Sequence, residues 1–321
     1  MKKILITGVA GFIGSNLAQR LLEEGHKVVG VDNFITGSHG NISDLTKQPN
    51  FCFEEADITS LTSNQIRKLT EKDFDEVYHL ACPTGVPNLT RLAEEMLLTC
   101  SVGTKNILDV ALKSKAKFLF TSSSEVYGDP QEFPQNEDYT GNVDPTGLRS
   151  PYEEGKRYSE SLIMMYVRKY GLEGKIVRVF NTYGSNMNKN DERIIPKFIG
   201  QIKNGQPLTV HGDGTQKRTY CHVYDLIDGL TLVMNEGETG EVYNLGSREE
   251  ISVMDLAKLM IDLSNTNVGI STAQRPPHDH QARMPDTSKV SRLGWSPKTS
   301  LEEGLRKTFA SIVKEKEELN V

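Results

Sequence analysis

Residues 3–14 read KILITGVAGFIG, and this stretch decides the fold. Lys3 to Thr7 is a short apolar run of the kind that forms a buried strand. It gives way to Gly8-Val9-Ala10-Gly11-Phe12-Ile13-Gly14, and a helical pattern then runs from Ser15 to Glu24. Glycines spaced G-x-x-G-x-x-G between a strand and a helix let the backbone turn tightly and approach a pyrophosphate, whose charge sits at the helix N-terminus. Glycine also collects in ordinary turns. The placement at the start of the chain, after a strand and before a helix, favours the dinucleotide reading. Gly8, Gly11, Phe12, Ile13 and Gly14 are its candidate contacts.

Working outward, Lys27 to Val31 reads as the next strand and ends in Asp32. A carboxylate there accepts both ribose hydroxyls of NAD and repels a 2′-phosphate, so NAD is expected rather than NADP. The plainer alternative is an Asp that caps the Asn33-Phe34-Ile35-Thr36-Gly37 loop. Phe51 to Ala56 reads as a third strand, with Asp57 and Ile58 at its end as an adenine contact. Glu76 to Ala81 reads as a fourth, whose exit Leu80-Ala81-Cys82-Pro83 passes under the cofactor. Cys82 is a packed small residue in this reading, because no suitably spaced His follows to make it a nucleophile.

Leu92 to Ser114 is a long helical stretch, Lys117 to Ser122 a further strand, and Tyr152 to Tyr170 another helix. Strands alternating with helices up to about residue 180 imply an α/β fold, a doubly wound parallel sheet of Rossmann type. Beyond Phe180 the elements shorten and polar loops multiply, which implies a smaller α/β substrate-binding domain. Its strands include Leu208 to Gly212 and Gly240 to Leu245. The expected division is residues 1–180 for NAD and 181–321 for the substrate, the two interleaved. The two long helices are expected to pair across a two-fold axis as a four-helix dimer interface.

A second stretch carries the chemistry. Residues 121–157 run from Ser122-Ser123-Ser124-Glu125, where an apolar strand gives out, to Tyr152 and Lys156. The carboxyl end of a strand in an open parallel sheet faces the ligand crevice. Four-residue spacing puts phenol and ammonium on one helix face. A nearby cation favours the phenolate of a Tyr, which beside the Ser123 hydroxyl is a plausible base for a sugar alcohol. Tyr-x-x-x-Lys also recurs by chance in many helices, and the glycine turn at the other end of the chain is what raises its standing. Arg193, Arg218 and Arg283 are candidate cations for a nucleotide diphosphate, since arginine holds phosphate oxygens with two donors. Arg218 is the best placed of the three, just ahead of an apolar helix, although each alone could be a surface ion-pair residue.

Composition narrows the class. The chain has 321 residues, a charged fraction of 25% and a net charge of −6, which argues against a general nucleic-acid surface. Cys52, Cys82, Cys100 and Cys221 show no paired spacing, so a disulfide framework or metal site is not expected and a cytoplasmic protein with reduced thiols is. No apolar run reaches membrane-spanning length, and Met1-Lys2-Lys3 does not open a signal peptide. Lys314 to Glu318 reads as a solvated helix end.

The glycine turn, Asp32-Asn33-Phe34, the Tyr152/Lys156 pair and Arg218-Thr219-Tyr220 together resemble the extended short-chain dehydrogenase/reductases that modify nucleotide sugars. Within that group the chain is most similar to the UDP-glucuronate decarboxylases. The resemblance lies in Ser124 to Pro130, Pro134-Gln135-x-Glu137-Asp138-Tyr139, Gly141 to Arg149, Tyr152-x-Glu154-Gly155-Lys156-Arg157, Asp191-x-Arg193 and Leu293-Gly294-Trp295-x-Pro297.

The resemblance implies a redox cycle on one sugar. Tyr152 takes the 4-hydroxyl proton with help from Ser123, Lys156 holds the nicotinamide ribose, and NAD accepts the hydride. The C5 carboxylate, now that of a β-keto acid, leaves as carbon dioxide, with Glu125 and Arg218 around it, and the hydride returns to C4. The resemblance also implies NAD contacts at Asn33, Phe34, Thr36, Gly37, Leu80, Ala81, Thr99 and Thr182, and substrate contacts at Pro87, Asn181, Arg193, His211, Arg218 and Arg283.

Sugar 4,6-dehydratases place an acid where this chain has Ser124, which points away from dehydration. Leu98-Thr99-Cys100 replaces a common Lys-Thr-Asn, Leu89 a tyrosine and Asn188 a histidine, all on the sugar side. The alternatives are therefore a 4-epimerase or dehydratase on another UDP- or NDP-hexose, and a non-catalytic NAD-binding sensor.

Overall fold

The computed structural model describes residues 1–60, 65, 68–69, 71–188, 191–274 and 283–318. Seven parallel strands form the central sheet: β1 Lys3–Thr7, β2 Lys27–Asp32, β3 Phe51–Glu55, β4 Glu76–His79, β5 Lys117–Ser123, β6 Gly174–Val179 and, much later, β11 Val242–Leu245. Their order is β3-β2-β1-β4-β5-β6-β11, so the chain reverses direction across the sheet between β1 and β4. Ligands sit outside the strand ends at such a switch point.

Among the described residues six further, short strands occur: β7 Thr182–Tyr183, β8 Leu208–His211, β9 Lys217–Thr219, β10 Cys221–His222, β12 Glu250–Ser252 and β13 Ile270–Ala273. They pair as β7 with β10, β9 with β12 and β8 with β13.

The described helices of six residues or more are α1 Phe12–Glu23, α2 Ala93–Leu98, α3 Thr104–Ser114, α4 Ser150–Tyr170, α5 Ile194–Lys203, α6 Val223–Glu236, α7 Val253–Ser264 and α8 Leu301–Glu318. Successive strand residues face opposite ways. Ile4 and Ile6 of β1 therefore pack with Leu17 and Leu21 of α1 and Leu230 of α6, whereas Leu5 packs with Ile107 of α3 and Ile163 of α4. A third core, with Phe198, Val210, Leu256 and Leu305, binds α5, α7 and α8 to the short strands.

Local chemistry sets the helix limits. α4 opens with Pro151, whose missing N–H costs nothing in a first turn, and closes on Gly171 in the left-handed conformation after Arg168 and Lys169. The expected helix from Leu92 to Ser114 is broken in its hydrogen bonding: α2 passes into a π-helical turn, Thr99–Gly103, before α3 begins. The strand at Gly240 to Leu245, assigned to the smaller part from its neighbours in sequence, pairs with β6 as the seventh strand of the main sheet. Among the described residues no helix is long and apolar enough to cross a membrane. α8 includes the Lys314–Glu318 stretch, whose side chains lie outside the described residues.

Candidate active site

The glycine turn follows from steric necessity. Gly8 has φ +74°, and a Cβ on it would sit 2.8 Å from the Ala81 nitrogen on the β4 exit. A Cβ on Gly14 would stand 2.1 Å from the Gly8 carbonyl oxygen. Helix α1 and the β1 exit can close on each other only with hydrogens at these positions. The turn leaves a cradle above the sheet at the N-terminus of α1.

Asp32 lies at the end of β2, with Oδ2 accepting from the Ala10 N–H at 2.9 Å and Oδ1 from the Phe34 N–H at 2.8 Å. Burial raises its pKa, and these hydrogen bonds pull the other way. The capping alternative is thus realised in part, and the carboxylate, which lies on the cleft wall, retains acceptor capacity.

One large cleft, about 1690 Å³, runs from this cradle to the short strands. Its walls include Gly8, Gly11, Phe12, Ile13, Gly14, Asp32, Asn33, Thr36, Gly37, Asp57, Ile58, Leu80, Ala81, Thr99 and Thr182 on the dinucleotide side. They include Ser123, Ser124, Glu125, Tyr152, Lys156, Pro87, Asn181, Arg193, His211, Arg218 and Arg283 toward the other end. Phe34 alone of the expected residues is not on the wall. It has φ +57° and stacks on His39 at 3.7 Å between ring centroids, with Phe53 behind it. Its backbone N–H, not its ring, serves the site by holding Asp32.

Lys156 is 3% exposed and its Nζ donates to the Thr121 carbonyl at 2.8 Å. It lies 4.6 Å from the Phe120 ring centroid and 5.9 Å from that of Tyr152. Burial raises the Tyr152 pKa, while Lys156 and Ser123 pull it down, in the direction the sequence reading expects, without cancelling the burial.

Ser123 caps the turn at Ser124–Tyr127 by accepting from the Glu125 N–H at 3.2 Å. Glu125 ion-pairs with Arg283 at 2.9 Å on one oxygen and with Arg149 on the other. Arg149 also meets buried Glu153 at 3.1 Å. Arg283 in addition donates to the Ser124 hydroxyl at 3.3 Å and the Gly128 carbonyl at 3.2 Å. Glu125 is thus held by two arginines, Arg283 and Arg149. Arg218 lies on β9, its Nη1 donating to the Lys217 carbonyl at 2.8 Å. Arg193 pairs with Asp191 at the mouth of α5. His211 is held through Nδ1 by the Gln274 carbonyl at 3.0 Å.

Arg149 entered the sequence reading only as the end of the Gly141 to Arg149 motif, with no role assigned, because its two carboxylates come from the turn after β5 and from α4. Behind the sheet, fully buried His79 bridges Thr7 at 2.7 Å and Thr104 at 3.1 Å, and burial drops its pKa to about 3. It serves as a neutral strut between β1 and α3. Among the described residues no cluster of three metal-ligating side chains occurs.

The family described as GDP-mannose 4,6 dehydratase matches residues 5–308. UDP-glucuronic acid decarboxylase 1 of Danio rerio is 40% identical over 317 residues, 98% of this chain and 74% of that protein. UDP-glucuronic acid decarboxylase 3 of Arabidopsis thaliana is 42% identical over 305 residues, 94% of this chain and 86% of that protein. Among solved structures, the UDP-glucuronic acid 4-epimerase of Bacillus cereus, in complex with UDP-glucuronic acid and NAD, superposes with a TM-score of 0.87 at 30% identity, covering 98% of this chain and 99% of that one. The dTDP-glucose 4,6-dehydratase of Streptomyces venezuelae with NAD bound gives a TM-score of 0.87 at 26% identity, with 98% of each chain covered. With the glycine cradle, Asp32 and the Ser123/Tyr152/Lys156 set in one cleft, the chain belongs to the GDP-mannose 4,6 dehydratase family, the extended short-chain dehydrogenase/reductases of nucleotide sugars.

Proposed function

We propose that this chain decarboxylates UDP-glucuronate to UDP-xylose, using NAD for a transient oxidation at the sugar C4. The observation that carries this reading is the cluster at the end of β5. Glu125 is clamped by Arg149 and Arg283 next to Ser123, with the hydroxyl of Ser124 where a dehydrating enzyme needs an acid. The decarboxylase relatives, at 40–42% identity over nearly the whole chain, support the same conclusion.

The cradle over Gly8 and Gly14, with Asp32 at its rim, fits a dinucleotide. Bound there, NAD supplies reversible hydride acceptance. Tyr152 takes the proton of the 4-hydroxyl and Ser123 positions that oxygen. Lys156, fixed by the Thr121 carbonyl, holds the nicotinamide ribose and adds positive charge beside the phenol. Once C4 is a ketone, the C5 carboxylate is that of a β-keto acid. Arg283, aimed by Glu125, stabilises the enolate left when carbon dioxide departs; C5 then takes a proton from water, and Tyr152 returns its proton to the C4 oxygen as the ketone is reduced again. Arg193, Arg218 and His211 line the part of the cleft that takes the diphosphate and uridine, with Pro87 and Asn181 toward the sugar.

The remaining arrangement belongs to the same proposal. Residues 1–180 form the NAD-binding body and 181–321 the nucleotide-sugar part, interleaved because β11 returns to the main sheet. Two chains pair through α2, α3 and α4 as a four-helix bundle. The protein works in the cytoplasm, in keeping with four free cysteines.

Incubation with UDP-glucuronate tests the reading. The expected product is a nucleotide pentose lighter by one carbon dioxide, with the gas released in equal amount. A product of unchanged mass would mean 4-epimerisation, the reading favoured by the likeness to the Bacillus cereus enzyme. Loss of water would mean dehydration. NAD retained with no turnover of any sugar nucleotide would mean a sensor.

A further inference from the structure

Cys82 follows β4 on the loop that lines the cleft, and Cys100 lies in the π-helical turn between α2 and α3. Their sulfurs are 3.7 Å apart, within hydrogen-bond reach of each other. Cys82 is half-buried on the cleft wall, whereas Cys100 is 1% exposed behind it. Residue 155 of α4 leaves room for the inner sulfur because it is glycine: a Cβ there would stand 3.3 Å from the Cys100 Sγ. The hydrogen bond from Cys82, aided by the Lys156 charge, draws the Cys100 thiol below its ordinary range, while Cys82 is pushed up. The pair therefore gives up one of its two protons more easily than an isolated buried thiol would. The mechanism above uses neither sulfur.

We propose that Cys82 and Cys100 form a thiol–disulfide site, oxidised by small peroxides that enter through the cleft and reset by dithiols. Oxidation runs through the minor form of the pair, with the shared proton on Cys100 and the thiolate on Cys82, the sulfur that faces the cleft. That thiolate attacks one peroxide oxygen, the O–O bond breaks, and hydroxide leaves, giving a sulfenic acid on Cys82. The Cys100 sulfur then attacks the Cys82 sulfur, and its proton leaves with the displaced hydroxyl as water. Two electrons pass from the sulfurs to the peroxide. Closing the contact to a bond of about 2.05 Å needs side-chain rotation and a small shift of the loop. The product ties the β4 exit to the turn packed against α4, the helix that carries Tyr152 and Lys156. Disulfides that form in reducing compartments are typically transient ones of this kind.

The test uses the full-length protein with its NAD and near-stoichiometric hydrogen peroxide, followed by denaturation, alkylation and peptide mapping. Alkylatable thiols should fall from four to two. A linked Cys82–Cys100 peptide should appear and be lost again on adding dithiothreitol. Cys100→Ser should leave a sulfenic acid on Cys82 that dimedone traps, without a cross-link. If that variant does not fold, Cys82→Ser should keep Cys100 alkylatable after the same treatment. Four alkylatable thiols after peroxide, or Cys82 and Cys100 oxidised separately and never linked, would overturn the proposal. The readout is chemical, so it stands apart from whether UDP-glucuronate is the substrate.

Discussion

Tyr152 is subject to two opposed influences, and their balance predicts how activity responds to pH. Burial favours the neutral phenol and outweighs the pull of Lys156 and Ser123, so its pKa lies above the ordinary value. A base of that kind is scarce at neutral pH and grows as pH rises. The rate at subsaturating substrate should therefore climb on the alkaline side until the phenol is ionised or the fold fails, and Lys156→Met should move that limb further up. Tyr152→Phe keeps the ring and removes only the acid–base group. It should lower kcat by roughly 10²–10⁴-fold while leaving NAD affinity nearly unchanged. A pH–rate profile and a binding titration check both, and a flat profile with normal Tyr152→Phe turnover would show the base to be misassigned. The spacing of Tyr152 and Lys156 was legible in the sequence because both lie on one helix. The clamp on Glu125 was not, because Arg149 and Arg283 reach it from distant segments and only Arg283 had been marked, as a phosphate contact.

At the scale of elements, the turn between β1 and α1 was the most readable part of the chain, since its constraints are local. Gly8 must take φ +74°, and Gly14 must let the Gly8 carbonyl within 2.1 Å of where a Cβ would be. Gly14→Ala should force α1 away from the β1 exit and widen the cradle. Overpacking of this kind costs about 1–3 kcal/mol, which, if it falls on the bound state, corresponds to a loss of NAD affinity of roughly 5- to 150-fold. Calorimetry would measure it, and unchanged affinity would mean that the dinucleotide does not lie against the turn. Two elements escaped the sequence for the same reason. The π-helical turn at Thr99–Gly103 keeps an ordinary helical pattern of apolar residues, and only its hydrogen bonds differ. Strand β11 reads as any short strand, and nothing in Val242 to Leu245 says that its partner is β6. Pattern gives an element's type, whereas its pairing partner is decided by the chain in between.

For the whole molecule, the face formed by α2, the π-helical turn and α4 is left apolar on the outside. Leu97 is 44% exposed, Val102 43%, Tyr158 54% and Met165 37%. Leu97 lies near the end of α2 and Val102 within the turn, while Tyr158 and Met165 lie seven residues, two turns, apart on α4. Two such helix pairs brought together about a two-fold axis would bury all four positions twice. A stable interface removes about 1,200–2,000 Å² from water, an extent that two long helices per chain can supply. Symmetry makes the arrangement sensitive, because each substitution enters the interface in both copies. Val102→Asp with Tyr158→Asp would place four carboxylates in an apolar seam with no cations assigned to meet them. The unaltered chain should sediment as a dimer at micromolar concentration and the double variant as a monomer. The variant's circular dichroism and NAD binding should persist, since neither side chain lines the cleft. A monomeric unaltered chain at that concentration would remove the four-helix interface from the proposal.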